Sequence, residues 1–196
     1  MSKLTKISTG LLLCATLNAC GSGGDDSDLS FTQQQTSAGD FADQIEDLAA
    51  IDPADLPTSG TVDYNGIFAT SINTDEADEV VFLGDLALSA DFVTDAVTGD
   101  LSNVNSSEGL EYDGTIALTD GAINRGAAIS ETVTGAVVGD VVTSAGNTVS
   151  FDTELSGDFL GEDSQYLAGD ITGTIEFEGV EQTIVENSGA FVTEVE

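Results

Sequence analysis

The sequence predicts an all-β protein: a closed eight-stranded antiparallel soluble β-barrel preceded by a short helix. Three observations lead to this prediction. From residue 60 onward the chain alternates apolar and polar residues, is rich in Thr and Val, and contains no Pro. In this region a motif of apolar residue, any residue, Gly, any residue and apolar residue recurs along the chain. Acidic residues occupy positions between the apolar ones, on the opposite face of each predicted strand.

The composition excludes several classes of function. The chain has 36 acidic residues against three basic ones, Lys3, Lys6 and Arg125, for a formal net charge of −33. Nucleic-acid binding is excluded because phosphate contacts need Lys and Arg, and electrostatic docking on anionic lipid is excluded for the same reason. The chain contains no His, so a Ser–His or Cys–His nucleophile and a His-ligated metal are also excluded.

The N-terminus has the pattern of a secretion signal. A positive segment, residues 1–6, precedes a mostly apolar stretch over residues 7–19, which is short for a membrane-spanning helix but suits a signal peptide. The stretch ends in Leu17-Asn18-Ala19-Cys20, followed by a segment of Gly and Ser. This ending resembles the lipobox of bacterial lipoproteins.

The lipobox resemblance implies that the chain is cut before Cys20, which then carries the lipid. Residues 1–19 are therefore the expected lipoprotein signal peptide, and Cys14 is removed with them. Gly21 favours the outer membrane, by resemblance to enterobacterial sorting. We expect an outer-membrane lipoprotein of the cell envelope. Its partner is the outer-membrane lipid, to which it is anchored through acylated Cys20. The alternative is an ordinary signal peptide with an incidental cysteine.

Residues 20–39 are expected to be an acidic flexible tether that starts at lipidated Cys20. They are rich in Gly, Ser, Asp and Gln, with little to bury apart from Leu29 and Phe31. Such a composition does not supply enough apolar surface to offset the entropy of ordering.

Residues 40–58 are expected to contain a short helix and a linker. Asp40 is the predicted N-cap and Pro53 the stop signal of a helix within residues 40–51. A helix this short is marginal alone in water, so we expect it to dock on the following domain; a partner-binding helix is the alternative. Its apolar positions recur at helical spacing and are Phe41, Ile45, Leu48 and Ala49.

Residues 59–196 are the predicted barrel domain, in which glycines lie between apolar positions in the middle of strands. Tyr64-x-Gly66-x-Phe68 and Leu155-x-Gly157-x-Phe159 are examples. Glycine normally weakens a strand. Where strands coil tightly around a narrow interior, however, glycine permits the bend and makes room for neighbouring rings. In the alternative, a β-sandwich, glycines cluster at turns. The predicted structural glycines are Gly66, Gly84, Gly99, Gly114, Gly135, Gly157, Gly169 and Gly189.

The outward positions of the predicted strands carry the acids. A transmembrane barrel has an apolar exterior and a polar lumen, which is the reverse of this pattern, so only the lipid is expected to touch the membrane. Residues 120–130 could extend the fourth strand past a bulge or form an extra strand, and the pattern does not decide between them.

Residues 56–60, Leu-Pro-Thr-Ser-Gly, precede Tyr64-Asn65-Gly66, and Gly157-Asp158-Phe159-Leu160-Gly161 precedes Leu167-Ala168-Gly169. These stretches resemble the β-barrel domain of transferrin-binding protein B and related surface lipoproteins. The resemblance covers roughly residues 56–195 and implies a single eight-stranded barrel on a surface lipoprotein. It does not imply transferrin binding, because the namesake contacts its ligand through handle domains and this chain has no room for one.

The remaining candidate chemistry is that of carboxylates. Asp75, Glu76, Asp78 and Glu79 are weak candidates for Ca²⁺ binding, but their spacing does not match the known calcium loop. We therefore expect no metal and no other cofactor. A glycosidase would need two facing carboxylates in a cleft, and nothing in the spacing indicates one.

The sequence therefore favours a lipid-anchored binding or interaction module of the envelope that is not an enzyme. Its possible partner, a protein or a small ligand, is expected to bind through the barrel loops. The alternative is a structural acidic envelope lipoprotein without a specific ligand, and a carboxylate-dependent hydrolase is a distant third. Arg125 is expected to be a surface charge near an acidic loop.

Overall fold

The computed structural model describes residues 29–74, 79–126 and 131–196, and every structural statement below refers to these residues. They form one α-helix, nine β-strands and a short 3₁₀ turn at Glu162–Ser164. The helix is α1 (Phe31–Ile45), and the strands are β1 (Thr61–Asn73), β2 (Glu79–Asp91), β3 (Ala96–Ser106), β4 (Glu111–Ile123), β5 (Val133–Val142), β6 (Thr148–Leu160), β7 (Tyr166–Phe177), β8 (Val180–Thr183) and β9 (Ala190–Val195).

The strands close into an antiparallel barrel. Each strand from β1 to β7 pairs with the next, and β9 completes the circle by pairing with both β1 and β7. Strands β8 and β9 share the eighth position, because β8 pairs with one half of β7 and β9 with the other. Ile184, between them, forms a bridge with Ile72 of β1. The predicted closed eight-stranded barrel is confirmed, with its last strand interrupted.

The interruption explains why the eighth repeat of the glycine motif, Asn187-x-Gly189-x-Phe191, has a polar residue at its first apolar position. Asn187 is exposed and has a left-handed backbone, with φ of 65°. It lies between β8 and β9 and is not an inward strand position. Phe191, the second apolar position of that repeat, is buried within β9.

The barrel interior is filled with apolar side chains. Every apolar residue that flanks a glycine in the first seven repeats is at most 3 % exposed. The Phe82 ring packs edge-on against Tyr112, Phe151 and Phe177, with centroid distances of 5.7–6.1 Å. An eight-stranded barrel leaves just enough space for such side chains.

The mid-strand glycines lie mostly against the backbone of a neighbouring strand. A Cβ atom at Gly66 would be 1.9 Å from the Val192 carbonyl oxygen, and one at Gly169 would be 2.0 Å from that of Ser156. The sequence predicts that these glycines permit the bend and make room for rings. Among the eight predicted glycines, Gly157 is the one whose Cβ atom would lie within 3 Å of a ring, that of Phe191, as well as of a carbonyl oxygen. Close strand approach is therefore the main reason for glycine here.

The outer face of the barrel carries the carboxylates. No Asp or Glu among the described residues is buried, so acids and apolar residues occupy the two faces that the sequence predicts. Within the same residues, no helix combines the length and the apolar character needed to cross a bilayer.

Helix α1 lies earlier in the chain than predicted. It spans Phe31–Ile45 and not residues 40–51, so much of the segment expected to be a tether is helical. Ser30 is the N-cap in place of Asp40, and its backbone N–H and its hydroxyl both donate to Gln33 Oε1, at 3.0 and 2.8 Å. The bond from the Ser30 N–H to the Gln33 side chain is that of a capping box, and it explains why the helix begins in a segment of low hydropathy.

Helix α1 docks on the outer wall of the barrel, as predicted. Ala38 packs with Ile67, Ala69 and Leu83 on β1 and β2. Ile45, with Leu48 beyond the end of the helix, packs with a second apolar group on β6, β7 and β9. The helix therefore covers the apolar part of the outer wall.

Strand β4 decides, for part of residues 120–130, between an extended fourth strand and an extra strand. It continues to Ile123, with an irregular register between Thr119 and Ala122 in its pairing with β5. Residues 120–123 therefore extend the fourth strand past a bulge, and residues 127–130 lie outside the described residues.

The two ends of the barrel differ. We call the end with the turn at residues 107–110 and the β7–β8 turn the upper end. The end with the turn at residues 92–95 and the β6–β7 turn is the lower end. Helix α1 begins near the upper end and finishes near the lower one, where Leu48 packs beside Leu160 and Tyr166.

Candidate functional site

Residues 46–60 cross the lower end of the barrel and close it. Ala50 forms a bridge with Leu160, and the Ile51 N–H donates to the Phe159 carbonyl oxygen at 2.9 Å. Leu56 then enters the core, where it is 2 % exposed. The crossing segment therefore seals the interior with one apolar side chain.

Arg125 holds the crossing segment in place. Its Nη1 and Nη2 atoms donate to the carbonyl oxygens of Leu56 and Pro57 at 3.2 and 2.5 Å. Its Nε donates to Asp95 Oδ1 at 2.6 Å, and Nη2 also reaches the Phe92 carbonyl oxygen at 3.4 Å. The expected acidic neighbour is therefore present, but most hydrogen bonds of the guanidinium go to backbone carbonyl oxygens.

A groove of about 420 Å³ runs between the crossing segment and the β6–β7 turn at the lower end. Ile51, Asp55 and Pro57 form one wall. The opposite wall comprises Gly161, Glu162, Asp163 and Ser164. Carboxylates and partly buried apolar side chains therefore border the same space.

The carboxylates of the groove are unpaired. Those of Asp55, Glu162 and Asp163 are exposed and make no hydrogen bond or ion pair with the described residues. Because Arg125 already pairs with Asp95, it does not neutralise them. The groove therefore has a negative potential and apolar walls.

Ser164 gives the groove a buried hydroxyl. The residue is fully buried, and its Oγ has no hydrogen-bond partner among the described residues. Its carbonyl oxygen accepts a hydrogen bond of 2.9 Å from the Tyr64 hydroxyl inside the barrel, and burial raises the pKa of Tyr64 far above its ordinary value. Asp163 and Ser164 both have left-handed backbones, with φ of 60° and 59°, which form the tight turn.

A polar network, which we call the latch, fixes the start of α1 to the upper part of the barrel. Gln34 is completely buried, and its Nε2 donates to Asp85 Oδ1 and to the Asn103 carbonyl oxygen, each at 2.9 Å. Asn105 Nδ2 donates to Gln34 Oε1 at 3.0 Å, and Asn103 Nδ2 donates to the Leu29 carbonyl oxygen at 2.9 Å. The latch determines where the preceding chain leaves the barrel.

Two acidic pairs lie on the outer wall. Glu176 of β7 is directly opposite Glu181 of β8 in the ladder, an arrangement that is repulsive for like charges. Desolvation raises the pKa of Asp170 on β7, and the neighbouring charge of Glu131 raises it further.

The structure brings together few of the candidates predicted from sequence. Cys20, Asp75, Glu76 and Asp78 lie outside the described residues, and Glu79 is an exposed residue at the start of β2. Within the described ranges, no group of three or more His, Cys, Asp or Glu residues could hold a metal ion.

Sequence reasoning missed the latch and the groove. Gln34 and Arg125 act through partners far away in the chain, so no local pattern marks them. In the groove, the only local signal is the pair of acids after Gly161, at the end of a predicted strand.

No protein-family model and no curated protein matches the chain. The fold itself defines a closed antiparallel barrel with a helix on its outer wall and a crossing segment over its lower end. The resemblance to the barrel of transferrin-binding protein B stays a prediction from short motifs.

Proposed function

We propose that this chain is a lipid-anchored envelope module that binds a cationic protein partner through the outer surface and ends of its barrel. The observation that supports the proposal is that apolar and acidic side chains occupy opposite faces of the barrel wall. Apolar side chains fill the interior, whereas the carboxylates of the described residues all reach the surface. Recognition therefore falls to the outside of the barrel, where unpaired negative charge attracts cations.

The latch relates the barrel to the proposed lipid anchor. The nine residues from Gly21 to Leu29 can span at most about 30 Å, even fully extended. Because Leu29 is bound near the upper end by Asn103 and Asn105, an anchor on Cys20 would keep that end nearer to the membrane. The lower end would then be the one available to a partner.

The anchor is tested by Cys20→Ala in the full chain. The proposal expects the unchanged protein to fractionate with membranes in detergent-free buffer and the variant to be recovered as a soluble or unprocessed form. Cys14→Ala is the matched control, because that cysteine lies in the predicted signal, and it should leave fractionation unchanged. Membrane association of Cys20→Ala equal to that of the unchanged chain would contradict the proposal.

The binding role is tested by capturing partners on the membrane-anchored protein from envelope extracts and growth medium. A selective, saturable partner whose association weakens steeply with salt supports the proposal. Retention of every cationic protein in proportion to its charge would instead favour a structural acidic envelope lipoprotein without a specific ligand.

A further inference from the structure

We propose that the lower-end groove binds one arginine side chain, presented by a protein partner. This inference deepens the proposed function, since it rests on a cationic partner and names the place and chemistry of the contact. It is carried by the groove of about 420 Å³ between the crossing segment and the β6–β7 turn.

The groove matches the two parts of an arginine side chain. Ile51 and Pro57 offer partly buried apolar surface on which a methylene stem can lie. The unpaired carboxylates of Asp55, Glu162 and Asp163 border the same space and offer acceptors for the charged head. Among the described residues the one cation, Arg125, is paired with Asp95, so these acceptors are left for a partner.

A second observation is the hydroxyl of Ser164. The residue lines the groove, and its Oγ is buried without a hydrogen-bond partner among the described residues. Buried polar atoms are nearly always paired, and a hydroxyl can accept a hydrogen bond from an N–H donor. Ser164, which lines the groove, therefore has an acceptor that the described residues do not use.

Arginine fits better than lysine because of the number and the spread of the acceptors. A guanidinium has five N–H donors in one plane, is weakly hydrated and packs well on apolar surface, whereas an ammonium is a compact and strongly hydrated charge. Arg125 illustrates this at the same end of the barrel, where one guanidinium contacts Asp95 and three carbonyl oxygens.

The test uses the full-length protein in mild detergent at physiological salt, followed by amide NMR. The probe is N-acetyl-L-arginine amide, added to about 50 mM so that even a single weak contact registers. We expect saturable shifts centred on the amides of Asp55, Gly161 and Asp163. N-acetyl-L-citrulline amide, the neutral isostere, should not produce them, and the lysine analogue should bind several-fold more weakly.

A pair of charge-matched variants isolates the groove. Glu162→Gln with Asp163→Asn removes two charges there, and Asn tolerates the left-handed backbone at position 163. Glu176→Gln with Glu181→Gln removes two charges at the upper end, where these residues face each other. We expect the first variant to weaken arginine binding by about tenfold and the second to leave it within about twofold.

The outcomes separate this inference from the proposed function. Equal loss in both variants, or shifts spread evenly over the surface, would show diffuse attraction and would overturn the groove site while leaving a cationic partner possible. No saturable shift at the groove would overturn the site alone, because partner capture tests the proposed function independently. Equal binding of the lysine analogue would overturn the specificity for arginine.

Discussion

Arg125 Nε lies 2.6 Å from Asp95 Oδ1, so the segment that follows β4 is tied to the turn between β2 and β3. The same guanidinium reaches the carbonyl oxygens of Leu56 and Pro57. One side chain thus holds three parts of the lower end together, and its ion pair is only part of the interaction.

Arg125→Gln should destabilise the barrel by about 2 kcal/mol, because charge-assisted hydrogen bonds to backbone oxygens are lost. Asp95→Asn is the matched control and should cost less than about 1 kcal/mol, since it removes only a partly exposed ion pair. Urea unfolding measures both. Equal costs for the two variants would mean that the ion pair, and not the carbonyl contacts, stabilises the lower end.

Gln34→Ala should release the start of α1 from the barrel and cost about 2 kcal/mol, because buried donors and acceptors of the latch lose their partners. Gln35→Ala is the control, since Gln35 is the next residue in the helix and is exposed. Hydrogen exchange should accelerate over the first turns of α1 in Gln34→Ala only. Unchanged protection there would argue against the latch.

Gly169→Ala should destabilise by about 2 kcal/mol or more, because its Cβ would lie 2.0 Å from the Ser156 carbonyl oxygen and the strands would have to separate. Gly39→Ala offers the opposite case. No atom lies within 4 Å of a Cβ at that helical position, so helix propensity should stabilise the protein by about 1 kcal/mol. Thermal unfolding that shifts in the same direction for both variants would contradict the close-approach argument.

Asp170→Asn should raise the melting temperature at pH 7 and have little effect near pH 3.8. The pKa of Asp170 is raised in the folded protein from its ordinary value of 3.8. Its ionised form therefore opposes folding above the folded-state pKa, and this cost disappears as the pH falls to the ordinary value. Asp152→Asn on neighbouring β6 removes the same charge from a second outward position and serves as the control. An equal gain at pH 7 in both variants would attribute the effect to net charge.

The melting temperature should rise from low to near-marine ionic strength, with NaCl and KCl equivalent. The net charge of −33 makes the folded chain repel itself, and salt screens this over a Debye length of about 10 Å at 0.1 M. A much larger, saturating effect of millimolar Ca²⁺ that Asp75→Asn with Asp78→Asn abolishes would instead support a calcium site.

The barrel was predictable because strand alternation is a local property. Phe82, Leu101 and Phe159 each follow the period of two, and all are buried as expected. The bulge in β4 was not predictable, because its register depends on pairing with β5, which the sequence of β4 does not contain.

Long-range contacts explain why the helix was predicted at the wrong position. The Gln33-Gln34-Gln35 run indicated a tether by composition, yet Gln34 is buried by partners on β2 and β3. Likewise Leu48 belongs to the apolar group under α1 but lies beyond Ile45, where the helix ends. Apolar spacing alone therefore placed the helix too late.

The pairing of β1 with β9 has a consequence for the order of folding. The strand that closes the circle is β9, the last of the described strands, so apart from the Ile184 bridge β1 has no partner on one side until residues 190–195 are available. Such distant contacts make folding slow relative to local ones. A chain that ends before β9 would leave β1 and half of β7 with open edges, which invite pairing with other molecules. Premature termination should thus yield aggregation rather than a smaller functional barrel.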